Sequence, residues 1–348
     1  MFPVNPGEKF RRITFKTTVA FLAVLFIVTI GPQLLELEGS QALAKKKKKG
    51  GRYCTATAKA AHTACIREKQ DDYNIAVGNC INVSDDEERS NCYQEAKSEY
   101  KEAKEECKDQ YEARRDVCED LGQGRYDPEL DSANFVDNPL EIGDAVAANP
   151  YFPLIPGTTW TYENTVAGET DTVEVFNETK EFEYPADSGQ IFNCIVVNDV
   201  VTDTESGEVI EDTDDWYAQD EDGNVWYFGE ISKQFEDGEL VSLEGSWKAG
   251  VDDAKPGIIM PADPQEGDIY RQEFFLGDAE DMGAVVSRGD ESAEVPFGNY
   301  EDDVLKTKDW TPIEPDALEF KYYAPAVGLV LEVNPDTGER VELISKTP

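Results

Sequence analysis

Six of the seven cysteines fall between residues 54 and 118, and successive members stand 11, 15, 12, 15 and 11 residues apart. The series reads the same in both directions. Eleven residues make about three turns of α-helix and fifteen about four, so each half keeps its cysteines near one helix face. Tyr53 to Gly78 and Cys92 to Leu121 are rich in Ala, Glu, Lys and Arg, as helices are. Ser84-Asp85-Asp86-Glu87 has the pattern of a capping box that would start the second helix, and Gly122 and Gly124 would end it. Folding the helices back on each other brings equal spacings face to face. That predicts the disulfides Cys54–Cys118, Cys65–Cys107 and Cys80–Cys92, although six cysteines allow fifteen pairings. Small alanines at 58, 61, 76, 96 and 103 let the axes come close enough for such bridges. Neither C-x-x-C nor C-x-x-C-H occurs, which argues against metal or haem at these thiols.

Disulfides persist in oxidising compartments, and the N-terminus is consistent with one. Lys9, Arg11, Arg12 and Lys16 precede an apolar run over residues 18–31, and Ala42-Leu43-Ala44 offers a small-residue cleavage site. The expectation is an export signal over 1–44. A retained membrane anchor is the rival, disfavoured because the run is shorter than the ~18–20 residues a spanning helix needs. Arg11-Arg12 resembles a twin-arginine export motif only loosely. Lys45–Lys49 would then open a basic, solvated arm over 45–51. The expected location is extracytoplasmic: the bacterial periplasm, the cell surface or the medium.

With 73 acidic against 32 basic residues, the net charge is −41. Such a chain is not expected to bind nucleic acid, and to meet a membrane only if its N-terminal segment stays uncleaved. His62 is the one histidine. No Ser-His-Asp or Cys-His arrangement can therefore form in the C-terminal two-thirds, and no enzymatic machinery is legible.

Residues 123–149 lack a sustained period and read as a linker that holds at most a short helix. From 150 to 348 the pattern changes to short β-branched and aromatic runs separated by Gly, Asp and Pro turns, among them "TTWTYENTV", "IFNCIVVNDVV", "NVWYFGE" and "ALEFKYYA". Asp222-Gly223-Asn224 and Asp336-Thr337-Gly338 look like hairpin turns. The expected fold is α+β and multidomain. A disulfide-stapled helical hairpin over 52–122 is followed by an antiparallel all-β domain over 150–348, with about ten strands in one curved sheet or partly open barrel. The patterned strands are expected to fold without the hairpin.

"NPYFPLIPGTTWTYE", "VPFGNYEDDVLKTKDW" and "YYAPAVGLVLE" resemble segments of a broad group of uncharacterised exported bacterial β proteins, similar to lipoprotein-carrier and lipocalin-like half barrels. The resemblance spans roughly 150–345 and implies the fold more than any activity. Ala326 departs from it, standing where a glycine usually precedes the closing Val-Gly-Leu-Val.

Two constellations are candidate sites. Trp216 and Tyr217, with Trp226, Tyr227 and Phe228, flank one turn. They form either the wall of a pocket for a small apolar or carbohydrate ligand, or core and cross-strand pairs. The turn between them, with Asp220, Asp222 and Asn224, invites a calcium reading. In EF-hand register, however, Ala218 and Gly229 would occupy two required ligand positions. No other cofactor is indicated. Cys194 alternates with apolar neighbours and reads as a buried, inert thiol. The expected function is an exported binding module. The alternative is a structural envelope or surface protein that meets other envelope components, with the hairpin as stalk or assembly arm.

Overall fold

A computed structural model describes residues 51–348; the expected export signal and the lysines at 45–49 lie outside them. Helix α1 runs Tyr53–Ile81 and helix α2 Asp86–Asp120. The cap of α2 is Asp85 and not Ser84: its carboxylate accepts from the backbone N–H groups of Glu87 and Glu88, both at 2.9 Å. Aspartate caps as well as serine, so the choice between adjacent candidates falls to backbone geometry. Cys54–Cys118, Cys65–Cys107 and Cys80–Cys92 bridge the helices with Cα separations of 5.6, 5.8 and 5.6 Å. Between the bridges, His62 stacks on Tyr111 (5.0 Å) and Tyr73 on Tyr100 (4.9 Å). The hairpin is thus a ladder of sulfur and aromatic rungs. Its base is closed by Gln123, whose side chain accepts from Thr55 Oγ1 (2.8 Å) and whose carbonyl accepts from Tyr53 N (3.2 Å). No helix among the described residues is long and apolar enough to cross a membrane.

Fifteen strands follow, all in one antiparallel sheet. They are β1 (Thr159–Asn164), β2 (Glu169–Glu183), β3 (Ile191–Asp203), β4 (Val209–Gln219), β5 (Val225–Glu236), β6 (Glu239–Ser242), β7 (Trp247–Lys248) and β8 (Lys255–Met260). The rest are β9 (Ile269–Arg271), β10 (Glu273–Phe274), β11 (Met282–Val295), β12 (Gly298–Trp310), β13 (Leu318–Ala324), β14 (Gly328–Val333) and β15 (Arg340–Thr347). The main path is β10-β8-β5-β4-β3-β2-β1-β15-β14-β13-β12-β11-β9, with β6 and β7 also paired to β5. The count exceeds the expected ten because several members are only two to four residues long, and because β11 hides its pattern under acids and glycine. Gly223 turns β4 into β5 with φ 95°, which glycine adopts without strain.

The two ends of the path, β9 and β10, are consecutive in the chain and separated only by Gln272. The segment Ile269–Phe274 therefore pairs with β11 through its first half and with β8 through its second, drawing the ends of the sheet together. Gly257 on β8 makes this possible. A Cβ there would stand 2.4 Å from the Gln272 carbonyl oxygen.

The linker is not idle. Short 3-10 turns at Ser132–Asn134 and Pro139–Glu141 carry Phe135 (8% exposed) onto the outer face of the sheet and bury Ile142 (1%) in the core. Phe135 meets Phe192 at 4.9 Å, and Val136 N donates to Gln219 O at 3.0 Å. Among the described residues, hairpin, linker and sheet belong to one compact unit.

Candidate functional site

The five rings of the β4–β5 hairpin divide between the two faces of the sheet, as strand alternation requires. Trp216 and Phe228 lie on the outer face with Phe182 and Phe192. Trp226 lies on that face too, 6.2 Å from Phe135. Tyr217 and Tyr227 point the other way, opposite each other in register and stacked at 4.7 Å. Trp216 is 2% exposed, and the Lys180 ammonium sits 3.4 Å from its ring centre. Four of the five side chains are buried members of the core, and Trp226 packs against them. The turn between the strands is self-satisfied. Asp220 accepts from Asn224 N, Asn224 Nδ2 and Trp226 Nε1 at 2.8, 2.8 and 3.0 Å, and Asn224 Oδ1 accepts from Ala262 N. Those oxygens organise the hairpin. Among the described residues no group of three or more His, Cys, Asp or Glu side chains could hold a metal ion. Cys194 is buried, and burial pushes its thiol pKa well up, as for an inert side chain.

The inner face of the sheet carries a feature that sequence reasoning passed over: a belt of carboxylates around one lysine. Lys321 on β13 stands 3.3 Å from Asp309 Oδ2 and 3.6 Å from Glu332 Oε2. Asp309 also accepts from Gln272 Nε2 (3.0 Å) and Thr307 Oγ1 (2.8 Å). Across the sheet, Asp215 lies opposite Glu230 in register and accepts from Tyr227 Oη. Burial, the largest influence on each, raises Glu230 and Glu332 to about 7. It raises Asp171 to about 10, helped by the charge and hydrogen bond of Asp199 beside it. Desolvation disfavours the ionised form, so several of these groups hold protons at neutral pH. With 73 acids in the chain, period-2 reading could not tell which would face inward together.

A sizeable concavity lies elsewhere, where the hairpin base meets β8, β9 and β10. It is a groove of about 740 Å³ whose walls include Tyr53, Leu121, Tyr126, Phe274, Phe275 and Leu276. Tyr126 anchors one wall by donating to Pro256 O (2.8 Å) and by an edge contact with Phe274 (5.5 Å). Its lining also includes Arg114 of α2 and Glu280, both buried. Arg114 Nε reaches both Glu280 oxygens at 3.0 Å, Nη2 reaches Oε1 at 2.7 Å, and Glu280 accepts a further bond from Gly277 N. Nearby, Gln110 Nε2 donates to Ile313 O at 2.9 Å. A second hollow of about 400 Å³, between residues 101–109 of α2 and Pro315-Asp316, is lined chiefly by charged side chains. None of the five rings named from the sequence lines either hollow.

No family model matches the chain, and neither a curated protein nor a solved structure is similar to it. Its function is therefore argued from its own geometry. Three disulfides point to an oxidising, extracytoplasmic environment.

Proposed function

We propose that this is an exported, non-enzymatic binding protein of the bacterial periplasm, cell surface or medium, and that its ligand occupies the groove between hairpin and sheet. The observation that carries this reading is the groove itself. Its volume, about 740 Å³, is that of a small-molecule site, and its walls combine aromatic and aliphatic side chains with a few polar groups. Both walls are rigid: one by the disulfide ladder, the other by the sheet, and the buried ion pair holds them in register. Rigid walls bind without ordering cost. The ligand class is small and largely apolar, and a sugar ring stacked on Tyr126 or Phe274 is within the same chemistry.

Native mass spectrometry of the protein purified from its own host tests this. A bound small molecule that disappears in the Tyr126→Ala, Phe274→Ala double variant is the expected result. Protein that arrives empty and takes up neither apolar nor carbohydrate probes would end the proposal. The structural reading would then take its place, supported by the length of the hairpin. The 29 residues of α1 span about 44 Å, enough for an assembly arm on the envelope.

A further inference from the structure

Four cationic side chains line the groove: Arg114, Arg125, Lys255 and Arg271. Three are engaged or solvated. Arg114 is consumed by Glu280, and Lys255 by Asp127. Arg125 is exposed and stacks over Tyr53 at 4.1 Å. Arg271 differs. It is only 9% exposed, and its guanidinium lies 4.7 Å from the Phe274 ring centre and 5.4 Å from that of Tyr126. Its one hydrogen bond is a weak contact from Nη1 to Met282 Sδ at 3.8 Å. No oxygen among the described residues accepts from its five N–H groups. The nearest carboxylate in play, Glu280, already takes three bonds from Arg114 and one from Gly277.

A largely buried guanidinium without an oxygen acceptor is costly, because its N–H groups have given up most of their water for two ring faces and a weak sulfur contact. Burial accordingly pulls its pKa below the ordinary guanidinium value. The two flanking rings hold the guanidinium in the groove's lining, and its planar fork of donors suits a planar, bidentate anion. Asp127, Asp252, Asp253 and Glu280 also line the groove, so a dianion would be repelled where a single charge is accepted. We propose that the groove takes a small amphipathic monoanion, a carboxylate head paired with Arg271 and an apolar body lying against Phe274, Phe275 and Leu276. This rests on the groove being the binding site and adds the chemistry of the head group.

Calorimetric titration of the disulfide-intact protein with decanoate and with decanol, at neutral pH, separates the two claims. The expected result is binding of decanoate at least tenfold tighter than decanol, with Arg271→Gln reducing the ratio to about one and leaving decanol unchanged. Equal binding of both probes by the unaltered protein overturns the anion assignment while the groove stands. Binding of neither overturns both. A decanoate preference that survives Arg271→Gln puts the anion elsewhere and also overturns the assignment, as does inorganic phosphate binding as tightly as decanoate. Should Arg271→Gln not fold, the two-probe comparison on the unaltered protein decides alone. Arg271→Lys, which keeps the charge but not the planar fork, then shows the loss of bidentate pairing as a ratio between the two.

Discussion

Arg114 on the second helix and Glu280, 166 residues further along the chain, form a bidentate ion pair with 6% and 1% of their surfaces exposed. It is the one charged contact that ties the disulfide ladder to the sheet among the described residues. Replacing either partner alone leaves the other charge buried without compensation. Arg114→Met or Glu280→Leu should each cost about 3–5 kcal/mol, whereas the double variant should recover most of the loss. Denaturant unfolding of the three variants gives the cycle. Additive losses would mean that the pair contributes through packing and not through charge.

The sheet is completed from outside itself. Phe135 and Ile142 of the linker are buried in its core, and Arg114 neutralises Glu280. A fragment of residues 150–348 should therefore melt well below residues 51–348, and adding back 123–149 should restore part of the difference. Circular dichroism melts of the three chains measure this. Equal melting temperatures would show that the strands need nothing upstream of residue 150.

Protonated carboxyls on the inner face give stability a definite pH dependence. Glu230 and Glu332 are raised from an ordinary 4.5 to about 7, chiefly by burial. Around Glu230, Glu211, Asp281 and Asp199 add to the rise, and the Tyr227 hydroxyl opposes it. Around Glu332, Glu319 and Asp309 add to it, and Lys321 opposes it. The folded state holds protons that the unfolded chain releases. Their contribution is full below about pH 4.5 and is lost as pH rises through about 7. The melting temperature should be higher at pH 5 than at pH 8, and Glu230→Gln should flatten that slope. A melting temperature that rises over this range would contradict the assignment.

Ala326 adopts φ 62°, a left-handed conformation that costs an alanine about 1–2 kcal/mol. Its N–H donates to Pro150 O at 2.7 Å, and its carbonyl accepts from Lys346 Nζ at 2.8 Å, so the turn is held from both sides. Ala326→Gly removes the steric penalty and gives back part of it as chain entropy. The expected gain is up to about 1 kcal/mol in chemical denaturation, with both hydrogen bonds kept. A loss of stability would mean that the methyl group packs favourably enough to outweigh its strain.

What the sequence determined by itself was local. The mirror-image spacing of six cysteines chose three bridges, because helix geometry converts intervals of 11 and 15 residues into a shared face. Alternating runs and Asp-Gly or Thr-Gly turns gave the antiparallel sheet, because strand and turn preferences act over a few residues. The tertiary structure alone decided everything that joins distant segments. "GDIYRQEFF" reads as one strand, yet it changes partner at Gln272 and draws the ends of the sheet together. Trp216 and its neighbours read as pocket wall or as core and cross-strand pairs. Phe135, Phe182 and Phe192, arriving from other segments, bury Trp216 and Phe228 in the core. Which arginine would be neutralised and which left open was equally hidden. Arg114 and Arg271 look alike in sequence. Only the placement of Glu280, reached by folding over 166 residues, satisfies one and leaves the other facing the groove.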